Sequence, residues 1–276
     1  MQEQEIGWLE TKAKEIRQLT IDSIGYLGVG HVGGSMSVVE VLTLLYYKRM
    51  NVDPDHPKKR DRDQLVLSKG HAGPTLYSIL ADKGFFPIEW LHTLNQGGTN
   101  LPSHCDRNRT PGIDMSTGSL GQGLSAAIGI ALGNRLDHID STVYCIVGDG
   151  ESNEGQIWEA AMAAVQFQVS NLIAFTDYNK MQIDGYMRDV MNIEDLTAKW
   201  VSFGWFVQRV NGHSFEEMDK AITRAQAEAY RPSMIVLDTI KGKGIFFAEG
   251  LLSNHNMPVD YEDAKKAIAR LNGAGE

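Results

Sequence analysis

Apolar residues Ile6, Leu9, Ala13, Ile16, Leu19, Ile21 and Ile24 recur at roughly helical spacing and predict an amphipathic helix from residue 4 to about residue 26. Glycines end it. Ser37-Val38-Val39-Glu40 has the capping-box pattern and predicts a second helix running to about Arg49. The polar stretch 51–63, with Pro54 and Pro57, reads as exposed connection. Leu65-Val66-Leu67 reads as a short strand, and 73–83 and 87–94 read as helices, the second opened by a proline.

Past a long irregular segment, 97–123, the pattern settles into alternation. A helix at 124–136 precedes a strand at 142–147, an Ala-rich helix, and a buried strand at 172–176. A helix at 193–203, a strand at 205–210, a helix opened by Ser214-Phe215-Glu216-Glu217, a strand at 234–240 and a terminal amphipathic helix at 261–271 follow. This alternation predicts an α/β fold with a doubly wound, mostly parallel sheet flanked by helices. No repeat, low-complexity tract or linker interrupts it, so residues 1–276 read as a single domain.

Composition narrows the function classes. The chain carries 35 acidic against 26 basic side chains, and its one basic clump, Lys58-Lys59-Arg60, is broken at once by Asp61 and Asp63. A nucleic-acid surface, which needs clustered cations, is therefore not expected. Two cysteines, Cys105 and Cys145, support neither a disulfide framework nor a cysteine zinc site. The amino terminus has no export pattern and no apolar run is long enough to span a membrane, so a cytoplasmic protein is expected.

The chemistry concentrates between Ser141 and Gly185. Here a strand, the turn Gly148-Asp149-Gly150, a helix, a second strand and a loop holding Asp177 and Asn179 form a βαβ unit. Parallel strands end on the same side of a sheet, so Asp149 and Asn179 should meet although 28 residues (151–178) separate the turn from the asparagine. Two oxygen ligands suit Mg²⁺ or Ca²⁺ and leave positions for phosphate oxygens. A diphosphate cofactor is thus a better expectation than a structural ion. Gly28 to Gly34 formally matches the dinucleotide fingerprint, but that motif needs a strand before its first glycine, and a helix precedes this one. Thr117-Gly118-Ser119-Leu120-Gly121-Gln122-Gly123 leads into a helix, where its amides could favour an anion; tight turns alone would equally account for its glycines.

GDG followed by 28 residues and an asparagine resembles the motif of thiamine diphosphate enzymes. With GHVGG, SKGHA, TGSLGQG, GDGESNEG and DYNKMQIDG in this order, the chain from about Gly28 to His255 is similar to the amino-terminal part of transketolases. The resemblance implies that Asp149, Asn179 and the main-chain carbonyl of Met181 coordinate the metal, that Gly150 contacts the diphosphate, and that Gly118, Leu120 and Ile183 line the cofactor. It implies that Glu154 lies near a subunit interface, facing the partner's cofactor-activating glutamate. It further implies that His31, His71, His104 and His255 surround the reactive carbon and the donor's hydroxyls. Imidazoles suit such proton exchange near neutral pH.

In this family the activating glutamate sits on a pyrimidine-binding domain that would follow the present one, and the sequence ends at Glu276. The expectation is one subunit of a split, two-chain transketolase that moves a ketol unit between sugar phosphates, assembled with a carboxy-terminal partner as a heterotetramer. The rival readings are an alpha-type subunit of a 2-oxo acid dehydrogenase, a deoxyxylulose phosphate synthase-like protein, and a non-catalytic cofactor-binding partner. The number of histidines in glycine-rich loops favours a sugar hydroxyl substrate.

Overall fold

The computed structural model describes residues 1–183 and 185–274, so Asp184 of the DYNKMQIDG motif and the last two residues of the expected 1–276 domain lie outside the described residues. Five parallel strands, β1 (Gln64–Leu67), β2 (Val143–Gly148), β3 (Leu172–Tyr178), β4 (Phe206–Asn211) and β5 (Ser233–Asp238), form one sheet in the order β1-β2-β3-β5-β4. The expected parallel sheet is thus observed. Its strands feed helices on both faces.

Successive residues of a strand point to opposite faces, and each face here has its own core. Leu65, Leu67, Tyr144, Ile146, Ile173, Phe175, Ile235 and Leu237 pack with α1 (Glu3–Leu27), α2 (Val39–Leu44), α3 (Gly73–Asp82), α7 (Phe215–Gln226) and α8 (Tyr261–Leu271). Val66, Val143, Cys145, Val147, Leu172, Ala174, Met234 and Val236 pack on the other side with α4 (Gln122–Leu136), α5 (Gly155–Gln166) and α6 (Leu196–Ser202). Double-sided burial explains why these strands read as continuous apolar runs.

Four local expectations change. Ser37 does not cap α2: its hydroxyl donates to Asp177 at 2.6 Å, Glu40 pairs with Arg17 at 2.7 Å, and the helix widens into a π turn over Leu45–Arg49. Tertiary partners outcompete the local cap. Residues 88–93 form a 3₁₀ helix rather than an α-helix. α6 starts at Leu196, capped by Asp195, rather than at residue 193. β3 runs past Thr176 through Tyr178, so Asp177 belongs to the strand end, not to the loop. At the second box, Ser214 does cap α7, accepting from Glu217 N–H at 3.3 Å, while the Glu217 carboxylate accepts from Asn211 N–H at 2.9 Å.

These two serines make a testable pair. Loss of a helix cap typically costs about 1 kcal/mol, and loss of a buried hydrogen bond to a charged group about 1.5–3 kcal/mol. Urea unfolding should therefore show Ser37→Ala more destabilised than Ser214→Ala; equal losses would return Ser37 to a capping role.

Candidate active site

The carboxyl ends of β1, β2, β3 and β5 deliver the chemistry to one edge of the sheet, the usual ligand crevice of open α/β sheets. Gly148 pairs in register with Asp177, which sets Asp149 and Asn179 one and two residues beyond that pair. Both are buried. Asp149 accepts hydrogen bonds from Gly150 N–H at 2.8 Å and from Lys180 N–H at 2.5 Å. Burial, with the neighbouring Asp177 charge, pushes its carboxyl up to about 7. A Cβ on Gly150 would lie 2.7 Å from Gln182 Cβ, so only glycine lets the turn approach so closely.

Asn179 is held at both ends. Its amide donates to Asp177 at 3.1 Å while its carbonyl accepts from Met181 N–H at 3.1 Å. Met181 and Gln182 pair with Gly185 and Tyr186 in a small hairpin, whose turn leaves Ile183 at φ 41° and 60% exposed. A β-branched residue in that conformation is strained. Leu120 is also exposed, and Gly118 lies beside His104.

Asp177 organises this edge. Its carboxylate accepts from Ser37 Oγ at 2.6 Å, from Lys69 Nζ at 2.5 Å and from the Thr239 hydroxyl, besides Asn179. Burial alone would raise its pKa, but the Lys69 ammonium and these donors hold it below the ordinary carboxylate value. Lys69 also donates to the Gly34 carbonyl at 2.9 Å.

A second buried carboxylate, Glu151, accepts from Gly121 N–H and Gly148 N–H at 2.9 Å each and from the Ser68 hydroxyl. It binds the TGSLGQG loop to the end of β2. The Gly121 amide, at the N-cap of α4, is therefore taken by the protein's own carboxylate. Glu154, by contrast, is exposed at the N-cap of α5.

The four expected histidines converge from four separate loops. The His31 ring centroid lies 5.3 Å from His71, 5.6 Å from His104 and 5.3 Å from His255, and His71 lies 5.0 Å from His255. Burial, then His104, Lys69 and Lys241, lowers His31 to about 4; burial, then Lys241, His31 and Lys69, lowers His255 to about 4. Burial also lowers His71 strongly, aided by Lys69, and lowers His104. At neutral pH the cluster is uncharged, so each ring can both accept and donate a proton.

The amino-acid sequence did not single out Lys69, Glu151 or Lys241, and it placed Asp177 only as a companion of Asn179; all four are buried. The available signal was position: Lys69 stands two residues past the end of a buried strand, and Asp177 and Lys241 stand at or just beyond strand ends that carry site loops. A clear pH dependence follows. Unfolded histidines take up protons near the ordinary 6.5 and the folded His31 and His255 only near 4, so their neutral burial favours the native state above pH 6.5 and that contribution is lost as pH falls from about 6.5 to about 4. Thermal unfolding across this window should show Tm falling with acidification, and a less steep fall in His31→Gln/His255→Gln; an identical slope would remove the neutral-cluster assignment.

Comparison with known proteins agrees with this geometry. Residues 9–273 match the family model described as transketolase, thiamine diphosphate binding domain. Over 275 residues, all of both chains, the protein is 57% identical to one named as a 6-deoxy-6-sulfo-D-fructose transketolase subunit in Clostridium sp. (strain MSTE9). It is 37% identical over 268 residues, 96% of this chain and 95% of the other, to an apulose-4-phosphate transketolase subunit of Phocaeicola vulgatus. The crystal structure of Campylobacter jejuni transketolase superposes with a TM-score of 0.89 at 32% identity, covering 96% of this chain. The chain spans about two fifths of that solved transketolase, 42% of its length. The chain therefore belongs to the transketolase family and carries that family's thiamine diphosphate-binding domain.

Proposed function

We propose that this chain is the diphosphate-binding half of a two-chain transketolase, which moves a two-carbon ketol unit from a ketose to an aldose only when a carboxy-terminal partner supplies the pyrimidine-binding domain and its activating glutamate. The observation that carries the reading is the convergence of Asp149 and Asn179 with four neutral histidines at one sheet edge. Relatives named as transketolase subunits, of the same length as this chain, support the split arrangement. A heterotetramer in the cytoplasm is the assembly we propose. The buried thiols of Cys105 and Cys145 suit a reducing compartment, and no helix among the described residues is long and apolar enough to cross a membrane.

The residues fit the cofactor and its metal. Asp149 is a buried carboxylate whose hydrogen-bond partners among the described residues are backbone N–H groups alone, and its oxygens are the hard ligands that suit Mg²⁺ or Ca²⁺. It would bind the ion with the Asn179 side-chain oxygen and the Met181 carbonyl. The diphosphate would lie against Gly150, with the buried cationic Lys69 and Lys241 on the histidine side. Gly118, Leu120 and Ile183 would line the organic part, and the exposed Glu154 would face the partner. Thiamine diphosphate, when bound, supplies a carbon nucleophile able to stabilise a carbanion.

The chain's own work is proton handling and orientation. As the donor's C–C bond breaks, a hydroxyl must lose its proton, and as the acceptor aldehyde is joined its oxygen must gain one. His31, His71, His104 and His255 are neutral and adjacent, so one ring can take the first proton while another donates the second. A 2-oxo acid substrate has no sugar hydroxyls to occupy such a cluster, which favours transketolase chemistry over the 2-oxo acid dehydrogenase reading.

The donor itself has two readings. Sugar phosphates are the general expectation for the family, whereas 57% identity over the full length to a protein named for 6-deoxy-6-sulfo-D-fructose favours a sulfonated ketose. The two anions differ at the far end of the sugar, away from the reacting carbonyl. The chain alone, with thiamine diphosphate and Mg²⁺, should show no ketol transfer and should gain it on adding its partner; full activity alone would defeat the split reading. In the reconstituted enzyme, 6-deoxy-6-sulfo-D-fructose should exceed fructose 6-phosphate in kcat/KM by about tenfold or more, roughly 1.4 kcal/mol of transition-state discrimination. The reverse order would restore the phosphate donor. Calorimetry on Asp149→Ala should find Mg²⁺-dependent cofactor binding weakened at least about a hundredfold, and unchanged affinity would remove the metal assignment.

A further inference from the structure

Behind the histidine cluster lies a buried charge relay that the reaction itself does not use. Arg17 on α1 donates from Nη2 to Glu40 Oε1 at 2.7 Å, and Glu40 Oε2 lies 3.1 Å from His213 Nδ1. Arg17 and Glu40 are 6% and 8% exposed. Ile240 N–H donates to His213 Nε2 at 2.9 Å. An amide can only donate, so Nε2 is the unprotonated nitrogen and Nδ1 carries the hydrogen given to Glu40. The relay thus fixes one neutral tautomer. At its other end Arg17 Nε donates to the Lys243 carbonyl at 2.8 Å.

Both ends of the relay therefore close on one short segment. Between Ile240 and Lys243 lies Lys241, 2% exposed, whose charge bears on His31 and His255. Gly244, at φ 83°, packs its Cα face against the Arg17 side chain: a Cβ there would lie 2.6 Å from Arg17 Cδ. The segment is also tied forward, by Gly242 N–H to the Gly33 carbonyl at 3.0 Å and by Asn254 Nδ2 to the Lys241 carbonyl at 3.2 Å. Those ties touch the neighbours of the histidine loops.

We propose that Arg17, Glu40 and His213 are positioning residues for Lys241: by gripping the Ile240 amide and the Lys243 carbonyl they hold the buried Lys241 segment beside Gly33 and Asn254, next to the loops of His31 and His255. None of the three touches the crevice. The consequence is electrostatic. His31 faces His71, His104, His255, Lys69 and Lys241, and His255 faces His31, His71, Lys69 and Lys241, so Lys241 is one of two fixed cations opposing protonation of either ring. Burying the Arg17–Glu40 pair is costly, since removing either partner leaves an uncompensated charge, and His213 completes it as a neutral hydrogen-bond donor. The catalytic meaning of this device rests on the proposed reading of the histidines.

Imidazole ¹⁵N NMR titration of the full chain tests it without the partner or the cofactor. The His31 and His255 midpoints should lie near 4 in the parent protein and rise by about one pH unit in His213→Ala, as a cation withdraws. His213→Gln, whose side-chain carbonyl can reach Ile240 N–H, should stay closer to the parent value. Should His213→Ala not fold, His213→Asn, which retains a donor for Glu40 but is too short for Ile240, should show the rise instead. Lys241→Met should raise both midpoints, and adding His213→Ala to it should raise them no further. Unchanged midpoints in a folded His213→Ala or His213→Asn, or a full additional rise in the double variant, would overturn the proposal. Because the titration reads the rings directly, its failure is separate from any failure of ketol transfer.

Discussion

The buried Lys69–Asp177 ion pair is the contact on which the crevice depends. Moving either charge out of water costs several kcal/mol even after relaxation, and the pair is tenable only because its remaining capacity is filled. Asp177 takes Ser37, Thr239 and Asn179, and Lys69 takes the Gly34 carbonyl. Four chain segments that are distant in sequence, around Gly34 to Ser37, Lys69, Asp177 to Asn179 and Thr239, are thereby pinned at the carboxyl end of β3. A buried network of this kind is stable only when complete, so each loop can take up its position only once the others have.

From that pair the site divides into two electrostatic territories. On one side Asp149 and Asn179 gather oxygen atoms, and burial, with the Asp177 charge, raises the Asp149 carboxyl to about 7. On the other, burial lowers all four histidines, joined by Lys69 and Lys241 at His31 and His255 and by Lys69 at His71. The same ammonium, Lys69, serves both sides. A metal-bound diphosphate and a proton-transferring cluster can then lie next to each other without the histidines becoming a second cationic site. Glu151 does comparable work for the glycine-rich loop, fastening its Gly121 amide to the β2 turn.

Much of this was legible in the chain because it is written in local pattern. Apolar runs of strand length between helical periods specify a parallel sheet, and the strand-turn spacing around Asp149 and Asn179 places both at one edge. The terminal helix at 261–271 has the bounds its periodicity predicts. Where local pattern had a tertiary competitor, it misled. Ser37 and Glu40 have the spacing of a cap, yet a buried carboxylate and a buried guanidinium offered stronger, charge-assisted partners. Ser214 and Glu217, at the surface, had no such competitor and the helix cap formed.

The amino-acid sequence by itself determined the fold class and the placement of Asp149 and Asn179 at one sheet edge, since these follow from periodicity and strand direction, while the four histidines were singled out by the resemblance to transketolases. Only the tertiary structure decided that the histidines share one neutral cluster, that Asp177 rather than the loop asparagine alone organises the ligand edge, and that Arg17, Glu40 and His213 stand behind Lys241. The reason is physical: burial and hydrogen bonding between residues as distant as Arg17 and Lys243, 226 positions apart, arise only when the sheet is closed on both faces, and no local period encodes them.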